Sequence, residues 1–332
     1  MRAGLGLLLA GWLACGEKST VPTETSATTP TGTVPPASAA PEAGRSATAA
    51  PPASTGSATP PPGPRRIVAI GDLHGDLKAT REVLRVAKIT DAEDHWAAGT
   101  TIMVQTGDIL DRGDEEIEIY DLLERLAKEA KEAGGALHIL NGNHELMNVA
   151  GRFLYVTPNG FRDFEKYDDG AVALTAYPKP RRGRRAAFVP GGPFAKRIAD
   201  YPVVLRVDDT LFVHGGLLPK HVKMGIDTIN ARTRAFALGE DEKFWAFLTD
   251  WDSPVNMRHY TKAPNPADCY LLGKVLEATG AKRMVMGHTP QLGGIESYCD
   301  GKAWGVDACM SRHCGEARQA LELIGDEARV LE

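Results

Sequence analysis

Short apolar runs and longer amphipathic stretches follow one another in the first part of the chain. The run RRIVAI at residues 65–70 is rich in β-branched side chains and precedes a glycine, and residues 76–89 then place apolar side chains at helical spacing. The same unit recurs in TIMVQT at 101–106 with the amphipathic residues 115–130, and a third apolar run, ALHIL, occupies 136–140. This pattern predicts an α/β fold whose strands each end in a polar loop. In open α/β sheets such loops meet at one edge.

The later part of the chain is less regular. Glycine and proline are frequent in residues 155–193, and no long periodic segment occurs there. The apolar runs TLFV and KRMVM then predict two strands, which end beside His214 and His288. Helical spacing of apolar residues predicts helices in residues 226–238, 240–248 and 267–278.

A β-hairpin is predicted near the C-terminus. IESYC and KAWGVD flank Asp300-Gly301, and an Asp-Gly pair suits a two-residue turn with positive φ angles. The sequence contains no internal repeat of the solenoid kind, so the prediction is one folded domain at residues 65–332.

The N-terminus has the pattern of an export signal. It reads MRAGLGLLLAGWLAC, in which Arg2 precedes an apolar run at residues 5–13 that is too short to span a bilayer. Cys15 after Leu-Ala resembles a bacterial lipoprotein cleavage site, so residues 1–14 are predicted to be a signal peptide and Cys15 to carry a lipid. An ordinary secretory signal and a buried apolar helix are the alternatives. We therefore expect an exported protein, either a membrane-anchored lipoprotein facing the periplasm or the outside, or a secreted one.

The segment between this signal and the domain, residues 15–64, is mostly Pro, Thr, Ala and Ser. It has almost no large apolar residue, so it cannot bury enough surface to offset the entropy of ordering. The prediction is a disordered tether that holds the domain away from its anchor.

The net charge of the chain is mildly acidic, at −5. Binding to a nucleic-acid backbone needs Lys and Arg clustered over a broad face, so no nucleic-acid partner is expected. The basic run KPRRGRR at residues 179–185 is the one exception. We interpret it as a solvated loop, with recruitment of acidic phosphopeptides or anionic lipid head groups as the alternative.

The cysteines of the folded part are even in number, which permits two disulfides in an exported chain. They are Cys269, Cys299, Cys309 and Cys314. Three pairings are compatible with the sequence, although Cys309 and Cys314 are close enough for a local bridge. Metal-binding cysteines are the less favoured interpretation, because hard-metal ligands are available elsewhere.

Those ligands follow predicted strands. Gly-Asp-x-His-Gly places Asp72 and His74 on a tight turn, Asp108 follows the second strand, and Asn143 follows the third. Two more strand ends carry the histidines named above. Mixed nitrogen and oxygen ligands of this kind suit Mn, Fe or Zn better than Ca or a thiolate metal. Turn chemistry alone explains any one of these loops but not five of them together.

The motifs GDLHGD, GDILDRGD, GNHE, VHGG and GHTP resemble those of the phosphoprotein phosphatase branch of the calcineurin-like metallophosphoesterases. With GNHELMN, FVHGGLLP, PVNMRHY and AKRMVMGHTPQ, the chain is most similar to the Shewanella-like protein phosphatases across residues 67–307. The resemblance implies an α/β fold, a four-layer β-sandwich flanked by helices, with a two-metal site in the loops at the strand C-termini. The SAPNY segment of the eukaryotic serine/threonine enzymes is absent from the sequence, so their response to toxin inhibitors is not implied.

Carried across matched positions, the resemblance implies two divalent metal ions, with Mn preferred and Fe or Zn as alternatives. The first ion would be held by Asp72, His74 and a bridging Asp108. The second would be held by Asp108, Asn143, His214 and His288. Such a pair of ions lowers the pKa of a bridging water, and the resulting hydroxide attacks phosphorus in line.

The resemblance also assigns the residues that act on the substrate. His144, polarised by Asp111, would be the general acid that protonates the leaving oxygen. Arg112 and Arg258 would grip the phosphate with guanidinium forks, beside Asn143. A surface arginine is the alternative for Arg258, because PVNMRHY departs from the family pattern after Pro-Val.

The prediction for function is a metal-dependent phosphatase that hydrolyses phosphate monoesters, with a phosphorylated protein as substrate. The resemblance favours phosphotyrosine slightly over phosphoserine or phosphothreonine. A nucleotide, dinucleotide polyphosphate or other small phosphoester is the alternative substrate. An inactive lipid-anchored binding or scaffold protein is the alternative of another class, and the complete set of ligands in the sequence argues against it.

Overall fold

The computed structural model describes residues 63–332. The predicted signal peptide, the Cys15 that is predicted to carry a lipid, and all but the end of the predicted tether lie outside the described residues. Among the helices of residues 63–332, none is both long enough and apolar enough to cross a membrane.

The strands of the described part form two five-stranded sheets. They are β1 (Arg66–Ile70), β2 (Ile102–Gln105), β3 (Ala136–Ile139), β4 (Val204–Val207), β5 (Thr210–Val213), β6 (Arg283–Met286), β7 (Glu296–Tyr298), β8 (Ala303–Gly305), β9 (Ala320–Ile324) and β10 (Glu327–Leu331). The first sheet has the order β10-β9-β1-β2-β3, and the second has the order β4-β5-β6-β8-β7. Strands β1, β2 and β3 run parallel to one another, and so do β5, β6 and β8, whereas the pairs β1–β9, β9–β10, β4–β5 and β7–β8 are antiparallel.

The α-helices of the described part connect and cover these sheets. They are α1 (Leu77–Val86), α2 (Glu116–Glu132), α3 (Asn143–Val149), α4 (Pro158–Arg162), α5 (Lys179–Phe188), α6 (Pro193–Ala199), α7 (Pro219–Met224), α8 (Ile226–Leu238), α9 (Trp245–Leu248) and α10 (Pro266–Thr279). Short 3-10 turns occur at Glu165–Tyr167, Val172–Ala176 and Glu242–Phe244.

Strand β1 shows how the layers are packed. Ile67 and Ala69 point to one side, where they join a core cluster that contains Phe212 of the second sheet. Val68 and Ile70 point to the other side and join the cluster that contains residues of the helices. Because side chains alternate along a strand, both faces of β1 are buried from Ile67 to Ile70, and this part of the strand is apolar throughout. The two sheets therefore pack face to face between layers of helix, which confirms the predicted α/β sandwich.

The predicted helices and hairpin are found with small shifts at their ends. Helix α8 has the predicted bounds, and α10 exceeds its predicted bounds by one residue at each end. In residues 240–248 the regular helix is short, because a 3-10 turn precedes α9. Strands β7 and β8 pair antiparallel, and Asp300 and Gly301 between them have φ angles of 57° and 77°. These positive angles are the ones that an Asp-Gly turn requires.

The interpretation of residues 179–185 as a solvated loop is wrong. They form most of helix α5, which starts after Pro178 and has proline in its first turn, a position where proline is well tolerated. Its inward face carries Gly183, Arg184, Ala187 and Phe188. The helical spacing of this face is hidden in the sequence because one of its members is an arginine and another is a glycine. Helix α4 and the first two 3-10 turns likewise lie within residues 155–193, for which no element was predicted.

Both disulfides of the described part are formed. Cys269 of α10 is joined to Cys299 of the hairpin, with their Cα atoms 5.3 Å apart. Cys309 is joined to Cys314, with their Cα atoms 4.9 Å apart. The structure therefore selects one of the three pairings, and the interpretation of these cysteines as metal ligands is excluded.

Candidate active site

Each predicted metal ligand lies just beyond the carboxyl end of a parallel strand. In the first sheet, Asp72 and His74 follow β1, Asp108 follows β2 and Asn143 follows β3. In the second sheet, His214 follows β5 and His288 follows β6. All are buried except Asn143, which is half-buried. The ends of both sheets therefore contribute to one buried cluster.

Two groups of side chains in this cluster could each hold a metal ion. One contains His74, Asp108 and His144, and the other contains Asp108, His214 and His288, with the ligand atoms of each group within 4.8 Å of one another. Asp108 belongs to both groups, as expected for a bridging carboxylate. The first group contains His144 where the resemblance implied Asp72.

Asp72 and Asn143 lie beside these two groups. A carboxylate oxygen of Asp72 is 3.8 Å from Nε2 of His74, and its other oxygen accepts a hydrogen bond of 3.1 Å from the backbone N–H of His288. Oδ1 of Asn143 is 3.0 Å from Nε2 of His214, which is itself 3.2 Å from Asp108. All six predicted ligands are therefore brought together.

The imidazole rings are oriented by backbone carbonyls. Nδ1 of His74 is 3.0 Å from the carbonyl oxygen of Leu110, and Nδ1 of His214 is 2.8 Å from that of Thr106. Because a carbonyl oxygen only accepts, each Nδ1 carries a proton, and in the neutral ring the lone pair that can bind a metal is then on Nε2. This second hydrogen bond is typical of histidines that bind metals.

The backbone is left-handed at several positions of the site. Residues with positive φ angles include His74 (46°), Asp108 (58°), Asp111 (69°), Arg112 (68°) and His288 (65°). Residues other than glycine rarely adopt this backbone conformation, which costs on the order of 1–2 kcal/mol for each residue. Strain of this kind concentrates where the surrounding structure must hold a side chain in a required place.

Two glycines let the loops approach the carboxylates closely. A Cβ atom on Gly142 would lie 2.1 Å from Oδ1 of Asp108, and one on Gly287 would lie 2.6 Å from Oδ1 of Asp72. Both distances are shorter than any tolerable contact. The glycines of the GNHE and GHTP motifs are therefore required by the packing around the carboxylates.

Burial and mutual repulsion change the pKa values of the carboxylates in the site. Burial raises the pKa of Asp72 well above its usual range, and the negative charges of Asp307 and Asp108 raise it further. Burial likewise raises the pKa of Asp307. Burial also opposes ionisation of Asp108, but the neighbouring His214 and His144 outweigh it, so the pKa of Asp108 lies well below its usual range. Bound cations would relieve the repulsion among these groups.

The histidines of the site also fit a metal. Burial lowers the pKa of His74 to about 3, and it lowers the pKa of His288 well below its usual range. Both rings are therefore neutral at pH 7, as metal ligands must be. Burial of His214 is outweighed by the charge of Asp108, which raises the pKa of that ring. Imidazoles, an amide oxygen and carboxylates around a shared Asp108 form a donor set that divalent transition metals accept. The residues present fit two divalent cations.

His144 differs from the predicted histidine ligands in its partner, because its ring is paired with Asp111, which is not itself a predicted metal ligand. Its Nδ1 is 2.7 Å from Oδ2 of Asp111, and its Nε2 is 3.7 Å from Asp108. Burial tends to lower the pKa of His144, but the charge of Asp108 and the hydrogen bond with Asp111 outweigh burial and raise it. An imidazole held in this way can keep a proton on Nε2 and direct it into the site.

Arg184 of helix α5 is a residue that the sequence interpretation missed. Its guanidinium is fully buried, and Nη2 donates to Oδ1 of Asp111 at 3.1 Å and to Glu116 at 3.0 Å. Nη1 donates to Glu116 and to the carbonyl oxygen of Gly160, and Nε donates to Asn148 at 2.7 Å. All five N–H groups of the guanidinium are therefore used. No motif in the sequence marks this role, because KPRRGRR has the composition of an exposed basic run.

Two further acidic residues were missed. Asp307 follows β8 and is buried beside Asp72, and the rule that found the other strand-end residues would have found it. Glu145, within the GNHE motif, accepts hydrogen bonds from the backbone N–H groups of Asp108, Ile109 and Gly142. It thereby ties the loop after β2 to the loop after β3.

The two predicted phosphate-binding arginines both lie at the site. Nη1 of Arg112 is 2.8 Å from Nε2 of His74. Arg258 is half-buried, donates a hydrogen bond to the carbonyl oxygen of His288, and is near enough to Asp72 and Asp307 to feel their charges. Arg258 is therefore not an isolated surface arginine.

A cleft of about 490 Å³ opens beside His74 and Arg112. Its walls carry Asp114, Arg312 and His313 together with the segment 157–159. A smaller cavity of about 160 Å³ starts at Asn143 and is lined mainly by apolar side chains, including Trp245. The site is thus open to a molecule larger than phosphate alone.

Comparison with known proteins places this arrangement in a family. The model of the calcineurin-like phosphoesterase family matches residues 65–292. Shewanella-like protein phosphatase 2 of Arabidopsis thaliana is 38% identical over 297 residues, which cover 79% of this chain and 76% of that protein. Shewanella-like protein phosphatase 1 of Plasmodium berghei is 32% identical over 259 residues, which cover 74% and 67%.

Solved structures agree with the sequence comparisons. A cold-active protein tyrosine phosphatase has a TM-score of 0.67 and 26% identity, covering 81% of this chain and 76% of that chain. A cold-active protein-tyrosine phosphatase from a psychrophilic Shewanella species has a TM-score of 0.63 and 26% identity, covering 81% of each chain. The chain therefore belongs to the Shewanella-like protein phosphatases, within the calcineurin-like metallophosphoesterases, and is a metal-dependent phosphatase.

Proposed function

We propose that this enzyme removes phosphate from phosphorylated proteins, with phosphotyrosine as the favoured residue. The observation that carries the proposal is the shared carboxylate of Asp108 between two metal-binding groups, next to the His144–Asp111 pair and two arginines. Two similar solved structures are named as protein tyrosine phosphatases, which supports the choice of phosphotyrosine. The 490 Å³ cleft has room for a peptide beside the phosphate.

The metal ions would be held by the ligands described above. One would lie at His74, Asp108 and Asp72, and the other at Asp108, Asn143, His214 and His288. When bound, the two cations supply the Lewis acidity that polarises the phosphate and activates a water for in-line attack on phosphorus. We propose Mn as the preferred metal, since it accepts this mixture of nitrogen and oxygen ligands.

His144 is proposed to be the general acid rather than a metal ligand. What separates His144 from the ligands is its pairing with Asp111, which is not a predicted metal ligand. Burial tends to lower the pKa of His144, but the charge of Asp108 and this pair raise it, which favours a ring that can give up a proton in the site. The proton on Nε2 would pass to the ester oxygen as the phosphorus–oxygen bond breaks. Asp111 keeps the ring in the orientation that makes this transfer direct.

Arg112 and Arg258 are proposed to bind the non-bridging oxygens of the phosphate. Both guanidinium groups lie at the rim of the buried cluster, where they can donate two parallel hydrogen bonds to a tetrahedral oxyanion. Their fixed positive charge balances the charge that develops on the phosphoryl oxygens in the transition state.

We also propose that the enzyme works outside the cytoplasm. The two disulfides within residues 63–332 support this, because structural disulfides persist in oxidising compartments. The signal peptide and the lipid on Cys15 remain predictions from the N-terminal sequence. Labelling of the expressed protein with radioactive palmitate, compared with a Cys15→Ser variant, tests the anchor.

The activity is tested by turnover of the purified chain with Mn²⁺ on a panel of substrates. The panel contains a phosphotyrosine peptide, a phosphoserine peptide, a nucleoside monophosphate and diadenosine tetraphosphate. Peptide turnover that is lost in Asp108→Asn and retained in Asp326→Asn, an exposed carboxylate, supports the proposal. Turnover confined to the nucleotides would contradict the protein substrate, and no metal-dependent turnover would contradict the proposal entirely.

A further inference from the structure

The aromatic ring of Tyr155 lies directly beside the groups that handle the phosphate. Its centroid is 5.0 Å from that of the His144 ring, and the guanidinium carbon of Arg112 lies over it at 5.6 Å from the centroid. The general acid and one phosphate-binding arginine therefore share a single aromatic neighbour.

The segment that carries Tyr155 is tied to the loop after β2. The backbone N–H of Arg112 donates to the carbonyl oxygen of Tyr155 at 2.9 Å. Two residues later, the hydroxyl of Thr157 donates to Asp114, and the amide of Asn159 donates to the same carboxylate at 3.0 Å. These three bonds hold the backbone segment that carries the ring.

Packing does not account for the placement of this ring. Tyr155 is 47% exposed, although it belongs to an otherwise buried site. Within residues 63–332, its hydroxyl has no hydrogen-bond partner, so the hydroxyl does not anchor the side chain. Apolar and aromatic side chains line most ligand sites, so an exposed ring beside the groups that handle the phosphate is a candidate contact for the substrate.

We propose that Tyr155 determines specificity by stacking on the aromatic ring of aryl phosphate esters, phosphotyrosine above all. This inference rests on the proposed function and adds the residue that selects the substrate. The ester oxygen must lie next to Nε2 of His144 to receive its proton, so the group attached to that oxygen lies beside Tyr155. In phosphotyrosine that group is a phenyl ring, and aromatic pairs are favourable at separations of about 4.5–7 Å.

An alkyl phosphate ester gains much less binding free energy from contact with the Tyr155 ring. In phosphoserine the ester oxygen carries a single methylene group before the peptide backbone, so little apolar surface can contact the Tyr155 ring. The phosphate itself would be bound by the same arginines in both cases. The difference between the two substrates is therefore expected in KM and not in the chemical step.

The test compares Tyr155→Ala with the unaltered chain on matched phosphotyrosine and phosphoserine peptides, with Mn²⁺. We expect KM for the phosphotyrosine peptide to rise about three- to tenfold, the range that follows from the strength of aromatic pairs. KM for the phosphoserine peptide should change less than about twofold on the same scale. An equal loss on both peptides would show that Tyr155 only supports His144 and Arg112, and would overturn the inference.

Further variants distinguish the contribution of the aromatic ring of Tyr155 from the contributions of its hydroxyl and of its apolar character. Tyr155→Phe should behave as the unaltered chain because the hydroxyl is unpartnered, while Tyr155→Leu should lose the preference despite its apolar side chain. Tyr270→Ala is the matched control, since Tyr270 is 65% exposed and also has a cation, Lys274, over its ring at 5.7 Å. It should leave both KM values unchanged.

A binding measurement tests recognition of the ring apart from the chemistry of the leaving group. The inhibition constant of benzylphosphonate should rise about three- to tenfold in Tyr155→Ala, and that of cyclohexylmethylphosphonate should rise less. Equal changes for the two compounds would contradict aromatic recognition.

If the unaltered chain turns over phosphoserine peptides but not phosphotyrosine peptides, the inference fails while the proposed phosphatase stands. If it turns over neither, the proposed function fails first.

Discussion

At the scale of single residues, the site depends on side chains that the family motifs name and on others that they do not. Asp111 and His144 belong to the motifs, but their geometry is maintained by Arg184, which comes from an irregular part of the sequence. Arg184 lies between the carboxylates of Asp111 and Glu116 and is shielded from water. Burial of three charges is stable only while each is paired, so this position should tolerate substitution poorly.

Replacing Arg184 by Met should therefore cost both stability and activity. We expect the free energy of unfolding to fall by about 3 kcal/mol, because two buried carboxylates lose their counter-charge. Urea denaturation followed by circular dichroism measures this. Arg181→Met is the matched control, since Arg181 is on the same helix but exposed, and it should change stability by less than about 0.5 kcal/mol.

The activity of Arg184→Met distinguishes positioning from a general loss of folded protein. If Arg184 orients Asp111 and thereby His144, kcat should fall more for a phosphoserine peptide than for para-nitrophenyl phosphate, whose leaving group needs little protonation. Arg184→Lys should recover part of the loss. The same fractional loss on both substrates would argue for a structural role alone.

His221 provides a second prediction at this scale, one that concerns pH. Its Nδ1 accepts a hydrogen bond from the backbone N–H of Leu218 at the start of α7, and its Nε2 has no partner among the described residues. Burial lowers the pKa of His221 to about 4, and the charge of Lys220 lowers it further. Because the unfolded chain then binds a proton more readily, the stability from this group is present above about pH 6.5 and is lost as the pH falls toward about 4.

The variant His221→Gln should weaken this acid sensitivity. Glutamine can accept the same hydrogen bond at the third helical position but does not titrate. The urea midpoint should therefore fall less between pH 7 and pH 4.5 than it does in the unaltered chain. Parallel curves for the two proteins would show that His221 does not contribute to the pH dependence.

At the scale of elements, α5 shows how tertiary contacts override local preference. Gly183 lies in the middle of this helix, where glycine is normally unfavourable. A Cβ atom there would lie 2.1 Å from the carbonyl oxygen of Phe164. The glycine lets α5 approach the neighbouring turn closely enough for Arg184 to reach Asp111.

Alanine substitutions in two helices should have opposite effects. Gly183→Ala should destabilise the protein by about 1–3 kcal/mol, since the added methyl group forces the backbone apart. Gly273→Ala in α10 should stabilise it by up to about 1 kcal/mol, because nothing lies within 4 Å of the new atom and alanine is the better helix former. Thermal unfolding of both variants measures the difference, and stabilisation by Gly183→Ala would contradict the close contact.

At the scale of the whole molecule, the site joins the two sheets. The backbone N–H of His288, after β6, donates to Asp72, after β1, and Nδ1 of His214, after β5, donates to the carbonyl oxygen of Thr106 after β2. The candidate metal ligands come from both sheets. Ions held there would cross-link the sandwich, so metal binding and stability should be coupled.

Addition of Mn²⁺ should therefore raise the melting temperature. A concentration of about 100 times the dissociation constant stabilises the folded state by about 2.7 kcal/mol, which corresponds to a rise of several degrees. The rise should disappear with a chelator and should be much smaller in Asp108→Asn, but remain in Asp326→Asn. An identical rise in Asp108→Asn would place the stabilising ion elsewhere.

Much of this protein could be predicted from short-range patterns in the chain. Apolar runs such as RRIVAI, each followed by glycine and a polar loop, identify strands and strand-end ligands because alternation and turn chemistry are local properties. The candidate ligands Asp72, Asp108 and His288 can be identified in the sequence without knowing which residues they contact in the fold. The hairpin at Asp300 and Gly301 is local in the same sense.

The remaining features were decided by contacts between residues that are far apart in the chain. The pairing of Cys269 with Cys299, the burial of Arg184 against Asp111 and the place of Tyr155 beside His144 each depend on how helices and loops pack on the sheets. The sequence by itself determined which side chains are available for metal and phosphate chemistry. Only the tertiary structure decided which charges are shielded from water and which aromatic ring lies beside His144 and Arg112, because burial and proximity are properties of the packed chain.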